Sequence, residues 1–165
     1  MRIVKKIGKI LTENHWGLST AESCTGGDLA SNITNNAGSS NYFSSGYITY
    51  SNEAKFQDLN IPITSIEELG VYSSKIAKLM AEGVQKKTKT TFGIAITGIA
   101  PPGDLSTTLK TGTTFIGLAT AKVSSHLEVL VRSKSRRRFK KKVVKIALNW
   151  FYTKICEYEV SYKTA

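Results

Sequence analysis

Ser23 sits in Thr20-Ala21-Glu22-Ser23-Cys24-Thr25-Gly26-Gly27-Asp28, where an apolar approach through Gly17-Leu18-Ser19 gives way to two glycines. Leu29, Ala30 and Ile33 then follow at helical spacing. A hydroxyl at a strand-to-helix turn is a candidate nucleophile, because the first helical N–H groups have no partner within the helix and can face an anion. The same residues also read as a capped helix start and nothing more, with Thr25 and Asp28 as the capping pair. A serine attacks only when a base takes its proton. His15 falls at the end of the first helix and His126 in a hairpin turn, so neither has the setting of such a base. Glu22 is adjacent, and on an extended strand it points to the other face. Lysine is the remaining option. Lys55 stands out, since it follows Tyr50-Ser51-Asn52-Glu53-Ala54, a segment with a phenol, a hydroxyl and an amide. To act as a base near neutrality its pKa must fall from about 10.4 to about 7, a differential of roughly 4–5 kcal/mol against the ammonium, which burial and a nearby positive charge can supply. Cys24 is a competing nucleophile. If residues 20–24 stay extended, Ser23 and Cys24 face opposite ways, and the cysteine is the better core residue.

These residues need elements to place them. Residues 2–14 read as a helix with Ile3, Ile7, Ile10 and Leu11 on one face. Strands are expected at 17–22, 46–50, 91–97, 113–121 and 127–132, the last two joined by a turn at 122–126. Helices are expected at 26–35, 54–59, 64–69 and from a Ser73 cap to about Lys87, with a final helix over roughly 136–155 and a loose tail after Glu157. Strands alternating with helices, plus one hairpin, predict an α/β fold, a three-layer α/β/α sandwich with a mixed, mainly parallel sheet. Ser23, the Tyr50–Lys55 segment and Thr97-Gly98 all follow predicted strands, and ligands of open α/β sheets gather outside the carboxyl ends of strands.

Composition narrows the alternatives. A chain of 165 residues, 41% hydrophobic and 21% charged, fits one globular domain over 1–165. Two cysteines make a disulfide framework improbable and suit a reducing cytoplasm. The start, Met1-Arg2-Ile3-Val4-Lys5-Lys6-Ile7, reads as an amphipathic helix rather than a signal peptide, and no apolar run reaches membrane-spanning length. The net charge of +11 is local: residues 132–154 hold ten of the 23 Lys and Arg and none of the 12 Asp and Glu. Phe139, Val143, Val144, Ile146, Ala147, Trp150 and Phe151 recur there at helical spacing. Arg137, Arg138, Lys141, Lys142 and Lys145 then form the solvated face of an amphipathic helix, and specific nucleic-acid binding is not expected. No metal-ligand spacing, GxxxxGK loop or GxGxxG turn is present, so neither a metal nor a nucleotide cofactor is expected.

Ala21-Glu22-Ser23-Cys24-Thr25-Gly26-Gly27, Gly46-Tyr47-Ile48-Thr49-Tyr50-Ser51-Asn52-Glu53-Ala54-Lys55 and Thr97-Gly98-Ile99-Ala100 together resemble the CinA C-terminal domain family, which includes stand-alone nicotinamide mononucleotide deamidases. The resemblance runs from about residue 5 to 155. It implies an α/β/α fold, self-association as a dimer or higher oligomer, and cofactor-free hydrolysis of the carboxamide of nicotinamide mononucleotide to nicotinic acid mononucleotide and ammonia. Carried onto this chain, it implies Ser23 as nucleophile, Lys55 as its base and Tyr50 as a relay of the proton to departing ammonia. Thr25, Gly26 and Gly27 would offer N–H groups to the oxyanion. Ser39, Ser40, Thr97, Gly98 and Arg136 are candidates for the substrate phosphate, and Asn52 joins the substrate-binding set. Three departures stand out. Lys134-Ser135 precedes Arg136 where the family has Gly-Asp, Pro101 replaces a family glycine, and Ser74 replaces a glutamate. A catalytically altered binding protein is the alternative these departures suggest.

Overall fold

The computed structural model describes residues 2–164. Its elements are α1 (Arg2–Glu13), β1 (Leu18–Glu22), α2 (Asp28–Thr34), a 3-10 turn at Ser39–Asn41, β2 (Phe43–Ile48), α3 (Asn52–Leu59), α4 (Ile63–Leu69), α5 (Ser74–Thr88), β3 (Phe92–Gly98), β4 (Thr113–Ala119), β5 (Ser124–Leu130) and α6 (Arg136–Lys163). The five strands form one sheet in the order β2-β1-β3-β4-β5. β1 pairs in parallel with β2 and β3, while β4 runs antiparallel to both β3 and β5. Four strands therefore point one way, and the carboxyl ends of β2, β1 and β3 lie side by side. This is the expected mixed α/β/α sandwich.

The two faces of the sheet differ in side-chain size, and β3 shows why. Phe92, Ile94 and Ile96 alternate with Gly93, Ala95 and Thr97. The strand puts every second residue on one face. The large residues meet α1, α2 and α6 in one core with Ile7, Leu11, Leu29, Ile33, Phe139, Val143 and Phe151. The small face receives α5, whose Ile76, Met80, Ala81 and Val84 pack with Ala21, Ala95 and Ala119. The approach is close: a Cβ on Gly93 would run into the carbonyl oxygen of Ala81, and one on Gly117 into that of Ala77. α5 is thus seated directly on the sheet backbone, with α3 and α4 outside it.

Two expectations need correction. The β4–β5 turn lies at 120–123, where Thr120 N donates to Val123 O (2.9 Å), so His126 belongs to the strand and pairs with Gly117. The tail after Glu157 is not loose, since α6 runs to Lys163. Tyr158 and Tyr162, one turn apart, meet the Trp16 ring edge-on at 5.1 and 5.6 Å between centroids. Such pairs add about 0.5–1.5 kcal/mol each beyond the area they bury.

Candidate active site

Ser23 directly follows β1, which lies between β2 and β3 in the sheet. Its N–H donates to Ile96 O on β3 (3.0 Å), and its carbonyl accepts from Gly26 N (3.1 Å). The turn is pinned from beneath by Glu22. This buried carboxylate accepts from Gly27 N (3.1 Å) and Leu29 N (3.0 Å) through Oε2 and from Ala30 N (2.8 Å) through Oε1. A carboxylate at a helix N-terminus satisfies the orphan donors and complements the dipole. Two expectations are corrected by this. Thr25 and Asp28 do not cap α2; Thr25 Oγ1 is buried without a hydrogen-bond partner among the described residues. Nor are Gly26 and Gly27 free to serve an oxyanion, because the first N–H is spent on Ser23 O and the second on Glu22. Apart from the Gly27 N–H held by the Glu22 side chain, only the N–H groups of Cys24 and Thr25 find no backbone acceptor in this turn among the described residues.

Lys55 is placed by α3. Ser51 caps that helix by accepting from Ala54 N (3.0 Å), which starts the helix at Asn52 and turns Lys55 inward. The whole side chain is buried. Its Nζ donates to Thr49 O (2.9 Å) and Ser51 O (3.3 Å). Burial lowers its pKa to about 8, against opposing influences from Cys24 and Glu53. Two carbonyls match the two N–H groups of a neutral amine and leave its lone pair unused. Ser23 and Lys55 do not share a direct hydrogen bond; Lys55 lies within electrostatic reach of the adjacent Cys24. Cys24 itself is buried, and desolvation pushes its thiol up to about 12, so it is a packing residue rather than a thiolate.

A cavity of about 470 Å³ opens at this end of the sheet, with Ser23, Cys24, Tyr50, Asn52, Gly98 and Arg136 in its wall. Arg136, the first residue of α6, donates from Nη2 to the Tyr50 hydroxyl (2.6 Å) and from Nη1 to Pro101 O (2.9 Å). The backbone of the unusual proline therefore steers the guanidinium. The wall also contains Val71, Tyr72, Ile99, Gly103, Asp104 and Leu105. Tyr72 and Asp104 were not legible as site residues, because one precedes a helix and the other reads as part of a turn.

The remaining expected residues divide. Thr97 is buried and donates to Val71 O (3.0 Å), so it ties the end of β3 to the turn carrying Tyr72 rather than facing the cavity. Ser39 and Ser40 form the 3-10 turn that precedes β2. They lie at the amino end of the parallel strands, opposite Ser23, because β2 runs parallel to β1. Neither can reach a ligand on Ser23. Among the described residues no group of three or more His, Cys, Asp and Glu stands ready to hold a metal, and no helix is long and apolar enough to cross a membrane.

Comparison with known proteins agrees with this architecture. Residues 1–155 match the model of the CinA C-terminal domain. A CinA-like protein of Flavobacterium psychrophilum is 48% identical over 116 residues, covering 70% of this chain and 28% of the relative. A putative competence-damage inducible protein of Caldicellulosiruptor bescii is 40% identical over 149 residues, covering 90% of this chain and 36% of the relative. The chain thus spans about a third of the length of these relatives. Among solved structures, the competence/damage inducible protein CihA of Agrobacterium tumefaciens superposes with a TM-score of 0.87 at 30% identity, over 92% of this chain and 93% of that one. The Klebsiella pneumoniae competence damage-inducible protein A shares the fold with a TM-score of 0.89 at 23% identity, over 94% and 96% of the two chains. The chain belongs to the CinA C-terminal domain family.

Proposed function

We propose that this chain is an amidohydrolase that converts nicotinamide mononucleotide to nicotinic acid mononucleotide and ammonia. The observation that carries the reading is Lys55: a fully buried lysine, bonded to two carbonyls, with its pKa lowered to about 8, within electrostatic reach of Cys24, the neighbour of Ser23 in the cavity wall. Burying a lysine without an acidic partner costs stability, and a general base is a use for it.

In this reading the Ser23 hydroxyl attacks the carboxamide carbon and its proton passes to the Lys55 amine. The oxyanion of the tetrahedral intermediate is held by the N–H groups of Cys24 and Thr25, the donors the turn leaves free. Protonated Lys55, assisted by the Tyr50 hydroxyl, returns the proton to the amide nitrogen. The C–N bond breaks, ammonia leaves and Ser23 holds the acid as an ester. Water, deprotonated by Lys55, then cleaves the ester and restores the serine. Arg136 and Asn52, both in the cavity wall, hold the nucleotide, with the guanidinium toward its phosphate. Self-association and a cytoplasmic setting belong to the same reading.

The test is direct. Incubated with nicotinamide mononucleotide, the full chain should release ammonia and nicotinic acid mononucleotide in equal amounts. Saturable binding without either product would instead identify a family member that has kept the pocket and lost the chemistry.

A further inference from the structure

The cavity wall carries two opposite charges, and only one of them belongs to the apparatus just described. Arg136 stands with Tyr50. Asp104 stands with Tyr72, Gly103 and Leu105. Asp104 is held on both oxygens: the Tyr72 hydroxyl donates to Oδ2 (2.6 Å), and Ser106 donates to Oδ1 from its N–H (2.9 Å) and its hydroxyl (2.6 Å). These donors, Ser106 first, hold its carboxyl below the ordinary aspartate value. Burial, with the Asp104 bond second, pushes the Tyr72 phenol up to about 12, so Tyr72 stays a donor and does not add a second anion. Among the described residues no lysine, arginine or histidine forms an ion pair with Asp104.

A fixed carboxylate without a counter-cation, in the wall of a ligand cavity, favours a cationic group in the ligand. Three hydrogen bonds leave it about one lone pair to spare, on Oδ2. Its position is secured from outside its own loop. Tyr72 belongs to the turn before α5, and that turn is tied to β3 by the bond from Thr97 to Val71 O. The carboxylate is therefore placed by the sheet and not only by the 99–112 loop.

We propose that Asp104, positioned by Tyr72, is a specificity-determining residue that selects ligands with a cationic ring, so that the cavity accepts a zwitterion with its anion at Arg136 and its cation toward Asp104. The proposal rests on the nicotinamide mononucleotide reading and sharpens it. An oxidised pyridine nucleotide carries a quaternary ring nitrogen and a phosphate. The reduced nucleotide keeps the carboxamide, ribose and phosphate but has a neutral ring. Asp104 discriminates between the two. A carboxylate that served only the ribose hydroxyls would treat them alike.

The test is calorimetric binding of oxidised and reduced nicotinamide mononucleotide to the full chain carrying Ser23→Ala, which removes turnover. Oxidised nucleotide should bind about ten- to a hundredfold more tightly than reduced, the range expected for one partly screened charge pair. Adding Asp104→Asn should bring the two within about threefold of each other, chiefly by weakening the oxidised form. Tyr72→Phe, which keeps the ring and removes only the donor, should fall between. Equal binding of both nucleotides with Asp104 intact, or a preference that survives Asp104→Asn, would overturn the proposal while leaving the amidase reading in place. Failure of the oxidised nucleotide to bind the Ser23→Ala protein would overturn both.

Discussion

Lys55 is where sequence and structure meet at the scale of single residues. The sequence shows a lysine downstream of Tyr50-Ser51-Asn52 and nothing of its environment. Burial is a property of the packed layers, so only the fold reveals that the side chain is fully buried with Thr49 O and Ser51 O as its acceptors. Its lowered pKa has a pH signature. In the proposed amidase the neutral amine is the active form, and with a pKa of about 8 roughly one molecule in ten carries it at pH 7. The kcat/KM for ammonia release should therefore rise close to tenfold per pH unit below about 8 and flatten above it. A limb centred near 6 would point to a histidine base instead. Stability moves in the same direction: the unfolded chain holds this proton up to its ordinary pKa near 10.5 and the folded chain only to about 8, so folding gains from rising pH across that window. Ser23 was legible because a hydroxyl before Thr-Gly-Gly marks a strand-to-helix turn. Tyr72 and Asp104 were not, because their relation crosses 32 positions of sequence and depends on how the 99–112 loop lies.

At the scale of elements, helix and strand order was legible from periodicity, and the details that failed are tertiary. The start of α2 looked like a Thr25–Asp28 cap. The cap is Glu22, whose side chain reaches back from the end of β1, and local spacing does not disclose it. The correction matters for the proposed chemistry, since it removes Gly26 and Gly27 from the candidate oxyanion donors and leaves Cys24 and Thr25. The strand at 91–97 was legible, but the small face made by Gly93, Ala95 and Thr97 and its use were not. α5 rests there so closely that a methyl group on Gly117 meets the Ala77 backbone. Gly117→Ala should therefore destabilise the fold by about 2–3 kcal/mol, as overpacking against rigid backbone does, measured as a shift of the urea midpoint. Because α5 carries the Tyr72 turn at its amino end, activity should fall further than the loss of folded protein explains. An unchanged midpoint would show that the helix can move away freely.

At the scale of the whole molecule, the parallel arrangement of β2, β1 and β3 gathers Ser23, the Tyr50–Lys55 segment and Gly98 at one end. That convergence was inferable from topology alone. Topology also excludes Ser39 and Ser40, which precede β2 and so fall at the far end. The basic segment resolves into the start of α6. Most of its charges face outward; Arg136 is drawn to Tyr50 and Pro101 and half-buried Lys140 to Asp28 at 3.8 Å, while Phe139, Val143 and Phe151 enter the core. The aromatic contacts of Tyr158 and Tyr162 on Trp16 then hold the far end of the same helix. The central claim is that Ser23 is the nucleophile of a cofactor-free amidase, and ammonia release from nicotinamide mononucleotide by Ser23→Ala beside the unaltered chain tests it most directly. The account predicts turnover by the unaltered chain and a loss of about a thousandfold or more in kcat in the variant, with nucleotide binding kept within a few-fold. Turnover by Ser23→Ala at the unaltered rate would contradict it.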